Sequence, residues 1–137
     1  MAAAIYKRRV EFAETDAAGM VHFSVFFRYM EEAEHAVWRA AGLNIWATGE
    51  NLSWPRISAK FDFKSPLKFQ DEFEVHTEMG TVTRRTIQWN HTLKRGDVVL
   101  GSGSITVVCV KKNPDGTIKA TEMPPGIISQ LQSVRAS

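Results

Sequence analysis

Hydrophobic and polar positions follow two different periods along the chain, and the first of them predicts one long helix. From Ser24 to Ala41 apolar residues recur at steps of three and four, the spacing of an amphipathic helix of about five turns. Serine is a favoured N-cap residue, and Gly42 stands where a glycine commonly follows a helix. The predicted apolar face consists of Phe26, Met30, Ala33, Val37 and Ala40.

Most of the remaining chain alternates apolar with polar residues, as strands with one buried face do. Residues 5–13 form a predicted strand before the helix, and residues 44–51 form an irregular connection after it. Further strands are predicted over 57–63, 73–79, 87–93, 98–111 and 117–121, with turns at 95–97 and 113–116 and a short terminal helix over 127–134. One long helix followed by antiparallel strands predicts an α+β fold, in which the helix covers one face of a sheet of five to six strands.

Composition and charge narrow the class of protein. The 137 residues suit a single domain over 1–137, and 44% hydrophobic and 23% charged residues are ordinary for a globular chain. The net charge is +2 with basic residues spread along the chain, and aromatic residues interleave with predicted core positions, so nucleic-acid binding is disfavoured. The start of the chain lacks an apolar signal core and no long apolar stretch occurs, so we expect a cytoplasmic protein without membrane insertion.

Several familiar chemical motifs are missing from the sequence. The single cysteine, Cys109, lies in an apolar run and is predicted to be buried without a disulfide. The four histidines lack the spacing of metal ligands, so no metal site is expected. The run from Gly101 to Thr106 matches neither a dinucleotide-binding loop nor the Gly-x-Ser-x-Gly pattern of serine hydrolases, so its two glycines are predicted to mark a bulge or close packing.

The segment from Glu14 to Phe23 carries the most chemical information, because it ends a strand, turns between Asp16 and Gly19, and enters the helix. A helix start offers unpaired backbone N–H groups and the positive end of the helix dipole. A carbonyl oxygen could be polarised there while the Asp16 carboxylate attacks or activates water. Gly19 lets the backbone turn sharply beside a substrate. The alternative is that Asp16 only stabilises the turn by accepting hydrogen bonds from local amides.

This order of strand, Asp-Ala-Ala-Gly, aromatic residue and long helix ending in Ala-Gly-Leu resembles the hotdog-fold acyl-CoA thioesterases of the 4-hydroxybenzoyl-CoA thioesterase family. The resemblance runs from Arg8 to Ile128 and is most specific over 14–21. It implies a hotdog fold, with the helix packed on a curved antiparallel sheet, and hydrolysis of an acyl- or aroyl-CoA to free acid and CoA. It further implies no cofactor beyond the substrate's own coenzyme A, and a homodimer or homotetramer with sites at subunit interfaces.

The resemblance also gives roles to single residues. Asp16 matches the catalytic carboxylate, as a nucleophile that forms a mixed anhydride or as a general base for water, and both roles remain open. The backbone N–H of Phe23 is the implied oxyanion donor, with Gly19 in the same catalytic set, whereas an aromatic ring at a helix entry is more often a core or hydrophobic-staple residue than a ligand contact. His22 is a candidate substrate contact. One branch of the family places a functional histidine seven residues after the aspartate, where this chain has Phe23, so the resemblance favours the branch that relies on the aspartate alone.

A paired-arginine segment is the implied contact for coenzyme A. Arg84, Arg85 and Thr86 fall where the aspartate-only branch contacts CoA phosphates from a neighbouring subunit. Adjacent arginines suit phosphate oxygens because they form forked, charge-assisted hydrogen bonds. The alternative for two arginines at this position is a solvated turn.

The sequence also offers weaker candidates for the catalytic carboxylate and the acyl pocket, and two alternative functions. Glu31 is a reserve carboxylate because a second hotdog branch uses a helix glutamate, although a surface pair with His35 is favoured at this spacing. Trp46, Trp54 and Pro55 could shape the acyl pocket or pack in the core. The rival functions are a hotdog domain that binds acyl-CoA or an acyl carrier without hydrolysis, and a hotdog dehydratase, whose His-plus-carboxylate pattern is not visible here.

Overall fold

The amphipathic stretch that the sequence marks as helical forms helix α1, which lies across one face of an antiparallel sheet. The computed structural model describes residues 3–134. In chain order its elements are β1 Ala4–Arg9, a 3-10 turn Phe12–Glu14, α1 Val25–Ala40, a 3-10 turn Ile45–Ala47, β2 Leu52–Ser53, β3 Arg56–Phe63, β4 Glu72–Val82, β5 Thr86–Arg95, β6 Val98–Val108, β7 Val110–Lys112, β8 Ile118–Ala120 and α2 Ile127–Gln132.

The main sheet has five strands in the order β1-β4-β5-β6-β3, and every neighbouring pair is antiparallel. Strands β4, β5 and β6 form a continuous meander, which leaves β1 and β3 at the two edges. Strands β2, β7 and β8 form a second, smaller sheet. The predicted architecture, one long helix on an antiparallel sheet of five to six strands, is confirmed, with five strands in the main sheet. Neither helix of the described residues has the length and apolar character needed to cross a membrane.

The core lies between α1 and the main sheet. Four of the five residues predicted for the apolar face of α1 are buried, and the buried face is wider than predicted because Tyr29, Glu34 and Trp38 join it. Ala40 is exposed, contrary to the prediction, because it faces an open groove between β1 and the chain near Val134. The predicted inner face of β5 is confirmed, with Ile87, Trp89, His91 and Leu93 all buried.

The first strand is shorter than the alternation of residues 5–13 indicates. Strand β1 ends at Arg9 because the following residues form the 3-10 turn, in which the Glu11 amide donates to Glu14 Oε1 and the Glu14 amide donates to the Glu11 carbonyl. Val10 is buried as predicted, and its amide donates to the Asp71 carbonyl. Phe12, predicted to share its buried face, is exposed at the surface of this turn.

Strands β3 and β6 also depart from the predicted pattern, each for a different reason. Of the four alternating apolar residues of β3 only Phe61 is buried, because β3 is an edge strand that pairs only with β6 among residues 3–134. Ile57, Ala59 and Phe63 stay exposed. The long strand predicted over 98–111 is interrupted at Cys109, which is buried as predicted, because the chain there leaves the main sheet for the smaller one.

Candidate active site

The Asp16 loop, defined here as residues 15–22, is a short closed turn between the 3-10 turn and α1. An antiparallel bridge joins Thr15 to Val21, and the Asp16 amide donates to the Met20 carbonyl over 2.7 Å. The Asp16 Oδ1 atom accepts hydrogen bonds from the amides of Ala18 (2.9 Å) and Met20 (3.3 Å). The turn-stabilising role is therefore present. Within residues 3–134 no group donates to Oδ2, so one oxygen of this exposed carboxylate stays free for chemistry.

Gly19 completes the turn through its backbone. Its φ angle of +79° lies in the left-handed region, which glycine adopts without steric cost, and its amide donates to the Asp16 carbonyl over 3.0 Å. Apart from its two chain neighbours, no atom of residues 3–134 would lie within 4 Å of a Cβ atom at this position. The requirement for glycine is therefore conformational, and the space beside it is open.

The entrance to α1 supplies a free backbone donor. Within the described part of the chain no acceptor receives the Phe23 N–H, which precedes the first residues of the helix. His22 provides the local cap instead of Ser24, because its Nδ1 accepts from the Ser24 amide (3.3 Å) and lies 2.8 Å from the Ser24 Oγ. The Phe23 ring is 63% exposed and lies against the His22 ring at 4.6 Å, so the prediction of a core position for this ring is wrong.

An apolar groove of about 270 Å³ runs beside the Asp16 loop. The ring of Phe26 forms its base and packs on Phe61 (5.0 Å) and Phe63 (5.2 Å), so three aromatic side chains hold this wall together. The groove is lined by Met20, Val21, Phe23, Phe26, Phe63, Lys64, Ser65, Pro66 and Leu67. Met20 and Val21 of the Asp16 loop, together with Phe23, therefore form one wall of an apolar channel.

The aromatic residues proposed as further pocket walls lie elsewhere in this chain. Trp46, Trp54 and Pro55 line a separate groove of about 520 Å³ together with Arg56. Trp46 is 89% exposed, whereas Trp54 is buried and donates to Thr48. Within one chain these residues do not contribute to the groove beside Asp16.

The paired arginines lie at the opposite end of the sheet from the Asp16 loop. Met20 bridges to Lys68, just before β4 begins, whereas Arg84 and Arg85 follow the end of β4. An extended strand of the length of β4 spans roughly 35 Å. The structure therefore does not bring the arginines and the carboxylate together within one chain.

The local contacts of this segment are those of an exposed turn. Arg84 Nη1 lies 3.4 Å from Glu122 Oε1, and both side chains are largely exposed. The Thr86 amide donates to Thr83 Oγ1, which fixes the turn. The Arg85 side chain is exposed. Both guanidinium groups thus face solvent, where a phosphate could reach them.

Comparison with known proteins identifies the family to which this loop and groove belong. The sequence model of the thioesterase-like superfamily matches residues 10–131. The chain belongs to this superfamily. A protein of Aquifex aeolicus is 36% identical over 129 residues, which make up 93% of this chain and 97% of that protein.

Two further relatives have a named activity. A 1,4-dihydroxy-2-naphthoyl-CoA hydrolase of Nostoc punctiforme is 24% identical over 132 residues, 95% of this chain and 87% of the relative. A mutant of 4-hydroxybenzoyl-CoA thioesterase, solved with 4-hydroxybenzoyl-CoA, superimposes with a TM-score of 0.86 at 18% identity, covering 96% of this chain and 99% of that one. The predictions of a hotdog fold and of a thioester hydrolase family are confirmed.

Sequence reasoning missed one buried carboxylate of this thioesterase-like protein that lies next to the loop. Glu14 is 7% exposed and contacts Arg8 of β1 and Tyr29 of α1. Its partners come from separate elements, so neither periodicity nor a local motif marks it. Within residues 3–134 no group of three or more His, Cys, Asp and Glu side chains is arranged to hold a metal ion.

A second missed carboxylate, Glu34, lies inside the thioesterase-like core. Its Oε2 accepts from Trp38 Nε1 (3.1 Å), and its Oε1 lies 3.1 Å from Arg56 Nη2, an ion pair without the angle of a hydrogen bond. Arg56 Nε also donates to Glu31 Oε2 (3.2 Å). Glu31 therefore pairs with Arg56, and the predicted pair with His35 is wrong because a guanidinium of β3 reaches the helix at this point.

We expect Glu34→Gln to flatten the pH dependence of stability. Burial raises the pKa of Glu34 from 4.5 to about 7, although Arg56 opposes the shift. The folded protein then binds a proton that the unfolded chain has lost, so stability falls as the pH rises from 4.5 to about 7. The melting temperature of wild type minus that of the variant, measured across this range, should decline. A constant difference would contradict the raised pKa.

Proposed function

We propose that this protein hydrolyses the thioester of an acyl- or aroyl-CoA to the free acid and CoA, without a metal or redox cofactor. The observation that carries the proposal is local geometry: within residues 3–134 one carboxylate oxygen of Asp16 has no donor and the Phe23 N–H has no acceptor, and Phe23 directly follows the loop that carries Asp16. That loop forms a wall of the apolar groove. Hydrolysis of a thioester needs these two groups, one to attack or to activate water and one to stabilise the oxyanion.

The geometry supports separate tasks for the two oxygens of Asp16. Oδ1 is held by the amides of Ala18 and Met20, so it orients the carboxylate. Oδ2 either attacks the thioester carbon, which expels the CoA thiolate and leaves a mixed anhydride for water to open, or removes a proton from an attacking water molecule. The Phe23 N–H donates to the carbonyl oxygen as negative charge develops on it, while Gly19 keeps the approach open.

The walls of the groove favour an aromatic acyl group. Phe23, Phe26 and Phe63 present ring surfaces to the channel, and aromatic rings pack well against one another at offset or edge-on angles. The Nostoc relative is named for a naphthoyl thioester, which is also aromatic. An aroyl-CoA is therefore the substrate class that the groove supports best.

The coenzyme A end of the substrate requires a second subunit. We propose that Arg84, Arg85 and Thr86 of a neighbouring subunit bind the CoA phosphates, because strand β4 separates them from the carboxylate of their own chain. We also propose that the exposed ring of His22, which lies beside the Phe23 ring, contacts the substrate.

The outer edge of β3, which has no partner strand within residues 3–134, supports such an assembly. It carries the exposed side chains of Ile57 and Phe63, and an apolar edge strand of this kind is a common site of pairing between chains. The proposed assembly is a homodimer or homotetramer, each chain forming one hotdog domain, located in the cytoplasm.

The test is release of free thiol from a panel of benzoyl-, hydroxybenzoyl-, naphthoyl-, short-chain and long-chain acyl-CoA substrates, with the mass of the active species measured by light scattering. The expected result is turnover that is fastest on an aroyl-CoA and that resides in a dimer or tetramer. Tight binding of these thioesters without release of CoA would contradict hydrolysis and support the acyl-CoA-binding alternative. Full activity in a monomer would overturn the contribution of a second subunit.

A further inference from the structure

Glu14 lies where both ends of the Asp16 loop are attached to the rest of the fold. It directly precedes Thr15, which bridges to Val21, and its carbonyl accepts a hydrogen bond from the His22 amide over 2.9 Å. Asp16 follows Glu14 by two residues, and the free amide of Phe23 follows His22 directly. A shift of the Glu14 backbone would therefore move both reacting groups of the proposed site.

The side chain of Glu14 is fixed by four hydrogen bonds from three separate parts of the chain. Oε1 accepts from Tyr29 Oη of α1 (2.8 Å), from the Glu11 amide (2.8 Å) and from Arg8 Nη1 (3.1 Å). Oε2 accepts from Arg8 Nη2 of β1 (2.5 Å). Both carboxylate oxygens are thus occupied, which leaves Glu14 unable to act on a substrate itself.

The electrostatics of this cluster keep Glu14 ionised. Burial opposes the charged form, but the hydrogen bonds from Arg8, Glu11 and Tyr29 hold the pKa of the Glu14 carboxyl below its usual range. Arg8 is held in turn by Glu32 of α1, at 2.9 Å, and its guanidinium lies 5.0 Å from the centre of the Tyr29 ring. The cluster therefore joins β1, α1 and the 3-10 turn through one buried charge.

We infer that Glu14 is a positioning residue for thioester hydrolysis: it sets the distance between the Asp16 carboxylate and the Phe23 N–H. This inference rests on the proposed function. Reacting groups must be held in near-attack geometry, and a displacement of about 1 Å can cost about 100-fold in rate. Loss of the Glu14 contacts frees the base of the loop while leaving the groove that binds the acyl group in place.

The test compares Glu14→Gln and Tyr29→Phe with Tyr6→Phe as a matched control. Tyr6 Oη donates to Glu32 Oε1 (3.0 Å) at the edge of the same cluster but does not touch Glu14. We expect Glu14→Gln to lower kcat by about 10- to 100-fold with KM changed less than about threefold. Tyr29→Phe should show a smaller loss of kcat with the same split, and Tyr6→Phe should keep the wild-type kcat.

Hydrogen exchange of the loop separates positioning from general destabilisation. In Glu14→Gln the amides of residues 16–23 should exchange faster while those of β4, β5 and β6 stay protected. An unchanged kcat in Glu14→Gln with only a lower melting temperature would overturn the inference. If Glu14→Gln does not fold, equal kcat values for Tyr29→Phe and Tyr6→Phe would overturn it. If Asp16→Asn is inactive and Glu14→Gln is fully active, the inference about Glu14 is refuted and the proposed function stands. If Asp16→Asn is active, the proposed catalytic role of Asp16 is refuted, and the inference about Glu14 fails with it.

Discussion

The Asp16→Asn variant is expected to lose about 10²- to 10⁴-fold in kcat while keeping the wild-type fold. The asparagine carbonyl oxygen can still accept the hydrogen bonds that the amides of Ala18 and Met20 donate to Oδ1, so the loop keeps its shape. The change replaces the free Oδ2 with an NH2 group, which is neither a nucleophile nor a base. The measurement is free-thiol release with the best substrate of the panel, together with the thermal melting of both proteins.

A second aspartate in a similar turn provides the control for this substitution. Asp115 Oδ1 accepts from the Thr117 amide (3.0 Å) in an exposed turn, so Asp115→Asn makes the same change of side chain in a comparable local structure. It should retain full turnover. Comparable activity of Asp16→Asn, Asp115→Asn and wild type would show that Asp16 only stabilises its turn. The groove would then need another catalytic group.

The sequence predicts those elements of the fold that have a long, regular spacing of apolar residues and that pack against the core along one face. Helix α1 and strand β5 both pack against the core over most of their length, so periodicity alone locates them. Strand β3 has the same alternation, but it lies at an edge with one partner, and Ile57 and Phe63 remain exposed. Alternation indicates which residues share a face; it does not indicate whether anything covers that face.

The candidate site likewise contains residues that the sequence predicts and residues that it does not. The elements that are contiguous in sequence, Asp16, Gly19 and the Phe23 amide, are predictable because turn chemistry and a helix start act over a few residues. Glu14 and Glu34 are not, because their partners are brought to them by the packing of α1 on β1 and β3. From sequence alone, a glutamate inside a predicted helix or next to a turn is expected to be exposed. Glu14 and Glu34 are buried because arginines of the neighbouring strands, Arg8 and Arg56, neutralise their charge in the folded protein.

Gly103→Ala is expected to destabilise the protein by about 3 kcal/mol, and it tests the prediction of close packing at this glycine. A Cβ atom there would lie 2.3 Å from the Lys60 carbonyl oxygen, 2.8 Å from Phe61 Cδ1 and 3.0 Å from Met30 Sδ. The carbonyl belongs to the backbone of β3, so the clash can be relieved only by separating β3 from β6. Melting followed by circular dichroism should show a fall of about 10 °C.

Ser104→Ala is the matched control, since Ser104 is the next residue of the same strand and alternation directs its side chain to the opposite face of the sheet. Its free energy of unfolding should lie within about 0.5 kcal/mol of wild type.

The effect of Gly103→Ala should extend to the groove, because Phe61 packs on Phe26 and Phe63. KM for an aroyl-CoA should therefore rise in this variant. An unchanged melting temperature would mean that β3 can move away from β6 at little cost, and the rigid groove wall inferred from the aromatic packing would have to be abandoned.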